Sequence, residues 1–98
     1  MDITELKKKL EAKAPFLRET FHVTNIGIFG SYVKGKETAS SDIDILVSFE
    51  RGYKDFFNYM RLKYYLEEIV ERKVDLVIKE AVKPTLREKI LGEVEYVR

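Results

Sequence analysis

The chain has no cysteine among its 98 residues. Disulfides and zinc–thiolate centres are therefore excluded, and a reducing, cytoplasmic setting is expected. No apolar run approaches the roughly 18 residues that a membrane span requires. The amino end, MDITELKKKLEAK, lacks the apolar stretch of a secretory signal, so neither insertion nor export is expected. An excess of one charge sign is missing too: 18 Lys and Arg face 17 Asp and Glu, for a net charge of +1. Binding to nucleic acid through bulk charge is disfavoured on that ground, and no direct nucleic-acid contact is expected. Internal repeats, low-complexity tracts and linkers are also lacking, which predicts one domain over residues 1–98.

What the sequence does have is enough apolar material for a core. The apolar fraction is 45%, with 6 Phe and 6 Tyr, so a folded globule is expected. Charged residues reach 36% with no Gln, a balance that leans toward a thermophilic source. Ile3, Leu6 and Leu10 recur at helical spacing and predict a helix over 3–13. Pro15 is expected to interrupt that helix or to open a short second one over 15–21. Short apolar runs predict strands over 25–30, 43–49 and 74–78. Between the last two lies a long helical pattern, 54–73, with Phe56, Tyr59, Leu62, Leu66, Ile69 and Val70 as its apolar stripe. Phe57, Met60 and Tyr64 widen that stripe, either as broad core contact or as a partner surface. Pro84 opens a last helix, 84–91, ended by Gly92, and the tail 93–98 is an edge strand or a docked extension. Strands alternating with helices give an α/β (α+β) class, a short mixed sheet flanked by helices.

The chemistry gathers in GSYVKGKETASSDID, residues 30–44. Asp42, expected to begin the second strand, and Asp44 lie two residues apart, so both project from one face. At a rise of about 3.3 Å per residue their Cα atoms stand roughly 6–7 Å apart, close enough to converge on one cation or bracket two. Oxygen donors without thiolates favour magnesium or manganese. An Asp-x-Asp pair by itself is common at solvated strand ends. Asp75 adds weight as the one acid inside the apolar run 74–78: if the two strands are neighbours, it reaches the same face. The plainer alternative for Asp75 is an ion pair with Arg72 or Lys73. Gly30 allows a close backbone approach, and Ser31 opens a helical turn over 31–34 whose N–H groups and hydroxyl suit an anion. Lys34 and Lys36 stand near that anion site or are simply solvated.

In combination these residues resemble a known family. Gly30-Ser31, ten residues, then Asp42-Ile43-Asp44 is similar to the signature of the DNA polymerase β-like nucleotidyltransferase superfamily. Phe29 to Tyr32, Gly35, Ser41 to Val47 and Val74 to Val77 fall in register with its smallest branch, the minimal nucleotidyltransferases. The resemblance implies an acidic triad of Asp42, Asp44 and Asp75 holding two Mg2+ ions, with ATP as co-substrate. Gly30, Ser31 and Lys34 would hold the nucleotide phosphates, and Asp75 would orient or deprotonate an attacking hydroxyl. Lys34 stands where many relatives have Arg, which keeps the charge without the bidentate fork. Members of this size resemble the antitoxin half of a two-component module whose partner is a HEPN-domain ribonuclease toxin. The implied activity is transfer of AMP to a tyrosine of that toxin in a hetero-oligomer. The alternatives are a non-catalytic antitoxin acting by contact and a small-molecule nucleotidyltransferase. The remaining polar features are expected to be quiet: His22 as surface or core, Lys7 to Lys9 as a solvated face. Tyr32 either packs under the turn or stacks near a base, and Arg87 and Lys89 are undecided.

Overall fold

The computed structural model describes residues 1–97. The elements follow in order as α1 (Ile3–Phe21), β1 (Val23–Phe29), α2 (Ser31–Lys34), β2 (Ile43–Phe49), α3 (Phe56–Val70), β3 (Val74–Ile78), a 3₁₀ turn (Lys79–Ala81), α4 (Pro84–Glu93) and β4 (Glu95–Val97). Four strands form one mixed sheet in the order β3-β2-β1-β4. β1 runs antiparallel to both β2 and β4, whereas β2 and β3 are parallel. This is the short mixed sheet flanked by helices that the alternating pattern predicts.

Pro15 does not break α1, which is continuous through it. Its apolar stripe explains why: Leu6, Leu10, Ala14, Leu17 and Phe21 are all buried, at steps of three and four. A helix-interior proline costs about 3 kcal/mol, and burying a Leu or Phe side chain returns about 1.5–3 kcal/mol each. Asp2 caps the start by accepting the Glu5 N–H at 2.9 Å.

α3 is shorter than the 54–73 pattern suggests. Asp55 accepts the Asn58 N–H at 2.9 Å and sets its start, while Glu71 turns left-handed and ends it. Its buried face is Asn58, Leu62, Leu66 and Val70, with Tyr59 and Ile69 half-buried. Phe56 leaves the expected stripe and is exposed, and so are Phe57 and Tyr64. Of the widened arc, Phe57 and Tyr64 are therefore surface, while Met60 is half-buried. Asn58 takes the inner position because its amide donates to Phe21 O at 2.8 Å and Tyr53 O at 2.9 Å. The Tyr59 hydroxyl donates to Leu76 O at 2.6 Å and ties α3 to β3.

Other boundaries shift by a few residues. β1 spans Val23–Phe29, so Gly30 lies beyond the strand rather than ending it. Asp42 precedes β2 rather than beginning it. α4 runs through Gly92 to Glu93, and the tail expectation is met by β4, with Arg98 outside the described residues. Lys7 is not simply solvated, since its ammonium lies 3.5 Å from Glu95. His22 has a partner that its sequence neighbours do not reveal: Nδ1 meets Glu50 Oε2 at 2.8 Å, and the ring stacks on Tyr53. Among the described residues no helix is long and apolar enough to cross a membrane.

The sheet separates its two faces by strand alternation. Ile26 and Ile28 of β1, Ile43, Ile45 and Val47 of β2, and Val74 and Leu76 of β3 join α1 and α3 in one apolar cluster. The intervening positions, Phe29, Asp44 and Asp75, face away from that cluster. Polar chemistry thus has a face of its own.

Candidate active site

The carboxylates come together through strand register. Asp44 pairs with Asp75 across the parallel β2–β3 ladder and with Phe29 across the antiparallel β1–β2 ladder. The condition on Asp75, that its strand neighbour β2, is met. Asp42 lies just ahead of β2, two residues before Asp44, and its charge acts on the Asp44 carboxyl. Asp44 is half-buried, whereas Asp42 and Asp75 are more open to solvent. No ion pair joins Asp75 to Arg72 or Lys73 among the described residues. Arg72 instead donates to Ala39 O, holding the loop before Asp42.

This crowding has an electrostatic cost. The Asp44 carboxyl is pushed up from its ordinary 3.8 to about 6. Burial is the largest cause, followed by the charge of Asp75 and a side-chain hydrogen bond to it, then the charges of Asp42 and Glu93. A divalent cation would relieve that repulsion, and an all-oxygen donor set suits a hard ion such as Mg2+ in kind. As placed, the described residues contain no group of three or more carboxylates or imidazoles gathered tightly enough to enclose a metal. The acids are near enough to perturb one another without closing around a common centre.

Gly30 is required by two independent features. Its φ of 76° suits glycine, and a Cβ there would overlap Asp44 Oδ2 and lie 2.9 Å from Asp44 Cγ. The bare α-carbon is what lets the turn sit against the carboxylate. Ser31–Lys34 forms the expected helical turn, with the Val33 and Lys34 amides both donating to Gly30 O at 3.1 Å. The Ser31 and Tyr32 N–H groups ahead of these have no acceptor within such a turn. Gly35 closes it with φ of 69°. Ser31 is half-buried, and Tyr32 is buried under the turn, which decides between its two expected positions.

Lys34 is not free. Its ammonium lies 3.3 Å from Glu93 Oε2, while Glu93 Oε1 accepts the Gly30 N–H at 3.0 Å. Sequence reasoning missed Glu93 entirely, because 63 positions separate it from Gly30 and it carries no motif. Lys36 is exposed, as are Arg87 and Lys89 on α4. An open cleft of ≈ 600 Å³ lined by Ser40, Ser41, Val70, Arg72 and Lys73 among others meets the candidate site only at Asp42, and Gly30, Ser31, Lys34, Asp44 and Asp75 lie outside its lining. Together these residues set a turn suited in kind to an anion beside a cluster of mutually perturbing carboxylates.

Comparison with known proteins agrees with that chemistry. The family model described as a nucleotidyltransferase domain matches residues 3–97. The protein adenylyltransferase MntA of Thermococcus cleftensis is 40% identical over 97 residues, covering 99% of this chain and 97% of that protein. A solved structure described as a minimal nucleotidyltransferase superposes with a TM-score of 0.83 at 33% identity, covering 97% of this chain and 95% of the other. A chain from a toxin–antitoxin structure with AMP-PNP has a TM-score of 0.73 at 26% identity, over 90% of this chain and 72% of that one. The chain therefore belongs to the nucleotidyltransferase domain family.

Proposed function

We propose that this chain is a cytoplasmic, magnesium-dependent protein adenylyltransferase. It transfers AMP from ATP to a tyrosine hydroxyl of a HEPN-domain ribonuclease partner, as the antitoxin of a toxin–antitoxin pair. The observation that carries the reading is the pairing of Asp44 with Asp75 on adjacent strands, with Gly30 packed directly on Asp44. The similarity to a protein adenylyltransferase and to a chain of a toxin–antitoxin complex with AMP-PNP supports it.

In this reading the Ser31 hydroxyl and the amides opening α2 receive the triphosphate, with Lys34 adding charge. Asp42, Asp44 and Asp75 would hold Mg2+, which when bound neutralises phosphate charge and stabilises the attacking and leaving oxygens. Asp75 orients the acceptor hydroxyl and takes its proton. The phenolic oxygen bonds to the α-phosphorus, the bond from that phosphorus to its bridging oxygen breaks, and pyrophosphate leaves. In-line geometry matters most here, because the protein contributes mainly positioning and electrostatics. The partner surface is α3, where Phe56, Phe57 and Tyr64 are 69%, 77% and 60% exposed. Aromatic side chains left out of a core are the usual anchors of an interface.

The test is incubation of the purified chain with α-labelled ATP, magnesium and the product of its neighbouring gene. Label on a partner tyrosine, lost in Asp42→Asn/Asp44→Asn while the complex still forms, is the expected result. If no label appears and the double variant still inhibits the partner, the protein silences by contact alone and the catalytic reading is wrong.

A further inference from the structure

The α4–β4 junction is built into the nucleotide site. β4 pairs with β1 through Ile28 opposite Glu95, and continuing that antiparallel register by two residues sets Glu93 opposite Gly30. At that point no strand remains to accept the Gly30 N–H. The Glu93 side chain accepts it instead, at 3.0 Å, and its second oxygen lies 3.3 Å from the Lys34 ammonium. One carboxylate thus bridges the two ends of the α2 turn. Its side chain is only 17% exposed, against 40% for Lys34, so the acid is the anchored member and the lysine the held one. Asp44 packs against the α-carbon of the same glycine. Gly30 is therefore gripped between β2 and the α4–β4 junction.

We propose that Glu93 is a positioning residue for nucleotide binding: it holds Lys34 and the Gly30 turn in the arrangement that receives the phosphates. This rests on the reading of the turn as the triphosphate site and adds to it a residue that no part of the sequence signature contains. Lysine has a flexible stem and no planar fork to fix its direction. A partly buried acid that restrains it supplies some of the order an arginine has by itself. The hydrogen bond to Gly30 does the same for the backbone.

The experiment measures AMP-PNP binding with magnesium by titration calorimetry for wild type, Glu93→Gln, Lys34→Met and the double variant, with melting curves for each. Glu93→Gln keeps an acceptor for the Gly30 N–H and removes only the charge that holds Lys34. Each single variant is expected to weaken binding about tenfold, the low end of what losing an outer partner costs at a metal site. The double variant should be no weaker than Lys34→Met alone. Additive losses in the double variant, or unchanged or tighter binding by Glu93→Gln, would overturn the proposal. Should Glu93→Gln not fold, Glu93→Asp, which keeps the charge one methylene short, is expected to fall between wild type and Lys34→Met. Binding equal to wild type would count against the proposal. If wild type itself does not bind AMP-PNP, the nucleotide-site reading fails; if wild type binds and the variants match it, only the role of Glu93 does.

Discussion

The two ends of the β1–β2 pair handle charge in opposite ways. At the end where Val23 faces Phe49, His22 meets Glu50 at 2.8 Å and stacks on Tyr53. Just below, the Asn58 amide donates to two backbone carbonyls. Polar groups there are matched, and each match ties one element to another. At the other end, where Phe29 faces Asp44, the carboxylates of Asp42, Asp44 and Asp75 accumulate with no ion pair to any of them among the described residues, and the Lys34 ammonium is held by Glu93. One end uses its polar residues for cohesion; the other keeps an electrostatic conflict, which on the proposed reading a bound cation resolves. Unrelieved like charge is the mark of a functional site more often than of a structural one.

The largest effect should come from removing the conflict itself. Asp44→Asn is expected to lower adenylyl transfer by at least about a hundredfold, because even outer partners of metal ligands cost 10–100-fold. The same variant should melt higher than wild type at pH 7 without divalent metal, since a neutral amide replaces a crowded carboxylate. Activity assays and melting curves on one preparation check both halves. A variant that is less active and also less stable would mean that Asp44 belongs to the cohesive class.

The matched end should respond in the opposite sense. Asn58→Ala strips donors from the Phe21 and Tyr53 carbonyls and leaves a cavity, at a cost of about 2–3 kcal/mol. For a chain of this size that lowers the melting midpoint by about 10 °C or more. Nucleotide affinity, measured below the new midpoint, should be unchanged. Loss of affinity in parallel with stability would show that the two ends are not separable.

Much of this division is legible in the sequence, and the illegible part has a common cause. The runs over β2 and β3 are apolar enough to be strands in any context, and Gly30-Ser31 with Asp42 and Asp44 carries its chemistry in local spacing. Asp75 is legible only on the condition that β3 neighbours β2, which is a fact of topology. Pro15 misleads because local propensity argues for a break, while Ala14, Leu17 and Phe21 continue the buried stripe beyond it. Phe56 misleads in the other direction: it is apolar, yet α3 turns Asn58 inward because two carbonyls need its amide. Glu93 and the His22–Glu50 pair are invisible for a simpler reason. Their partners are 63, 59 and 28 positions away, as the pairs Gly30–Glu93, Lys34–Glu93 and His22–Glu50 show, and only the folded sheet brings them together.

A pH titration separates the two ends more gently. The Asp44 carboxyl, raised to about 6 in the folded protein, binds its proton more tightly than the unfolded chain does. Its contribution to stability is therefore full below about pH 4 and is lost as pH rises through 6. Because the group is partly solvated, the loss is on the order of 1 kcal/mol after screening. Metal-free wild type should show this decline between pH 4 and 6.5, and Asp44→Asn should show less of it. Saturating magnesium should also flatten it, since a bound cation favours the ionised form. An identical slope in wild type and variant would place the titrating group elsewhere.

The smallest effect tests whether the turn over Tyr32 belongs to the cohesive or the conflicted class. Tyr32 is 1% exposed, and among the described residues its buried hydroxyl has no hydrogen-bond partner. A buried hydroxyl left unpaired costs about 1–3 kcal/mol relative to a satisfied one. Removing it while keeping the ring should therefore be neutral or stabilising by up to about 1 kcal/mol. Tyr32→Phe is expected to melt at or slightly above the wild-type temperature and to bind AMP-PNP with wild-type affinity. A drop in affinity at unchanged stability would mean that the hydroxyl turns toward the nucleotide when it binds, and would move Tyr32 from the scaffold into the site.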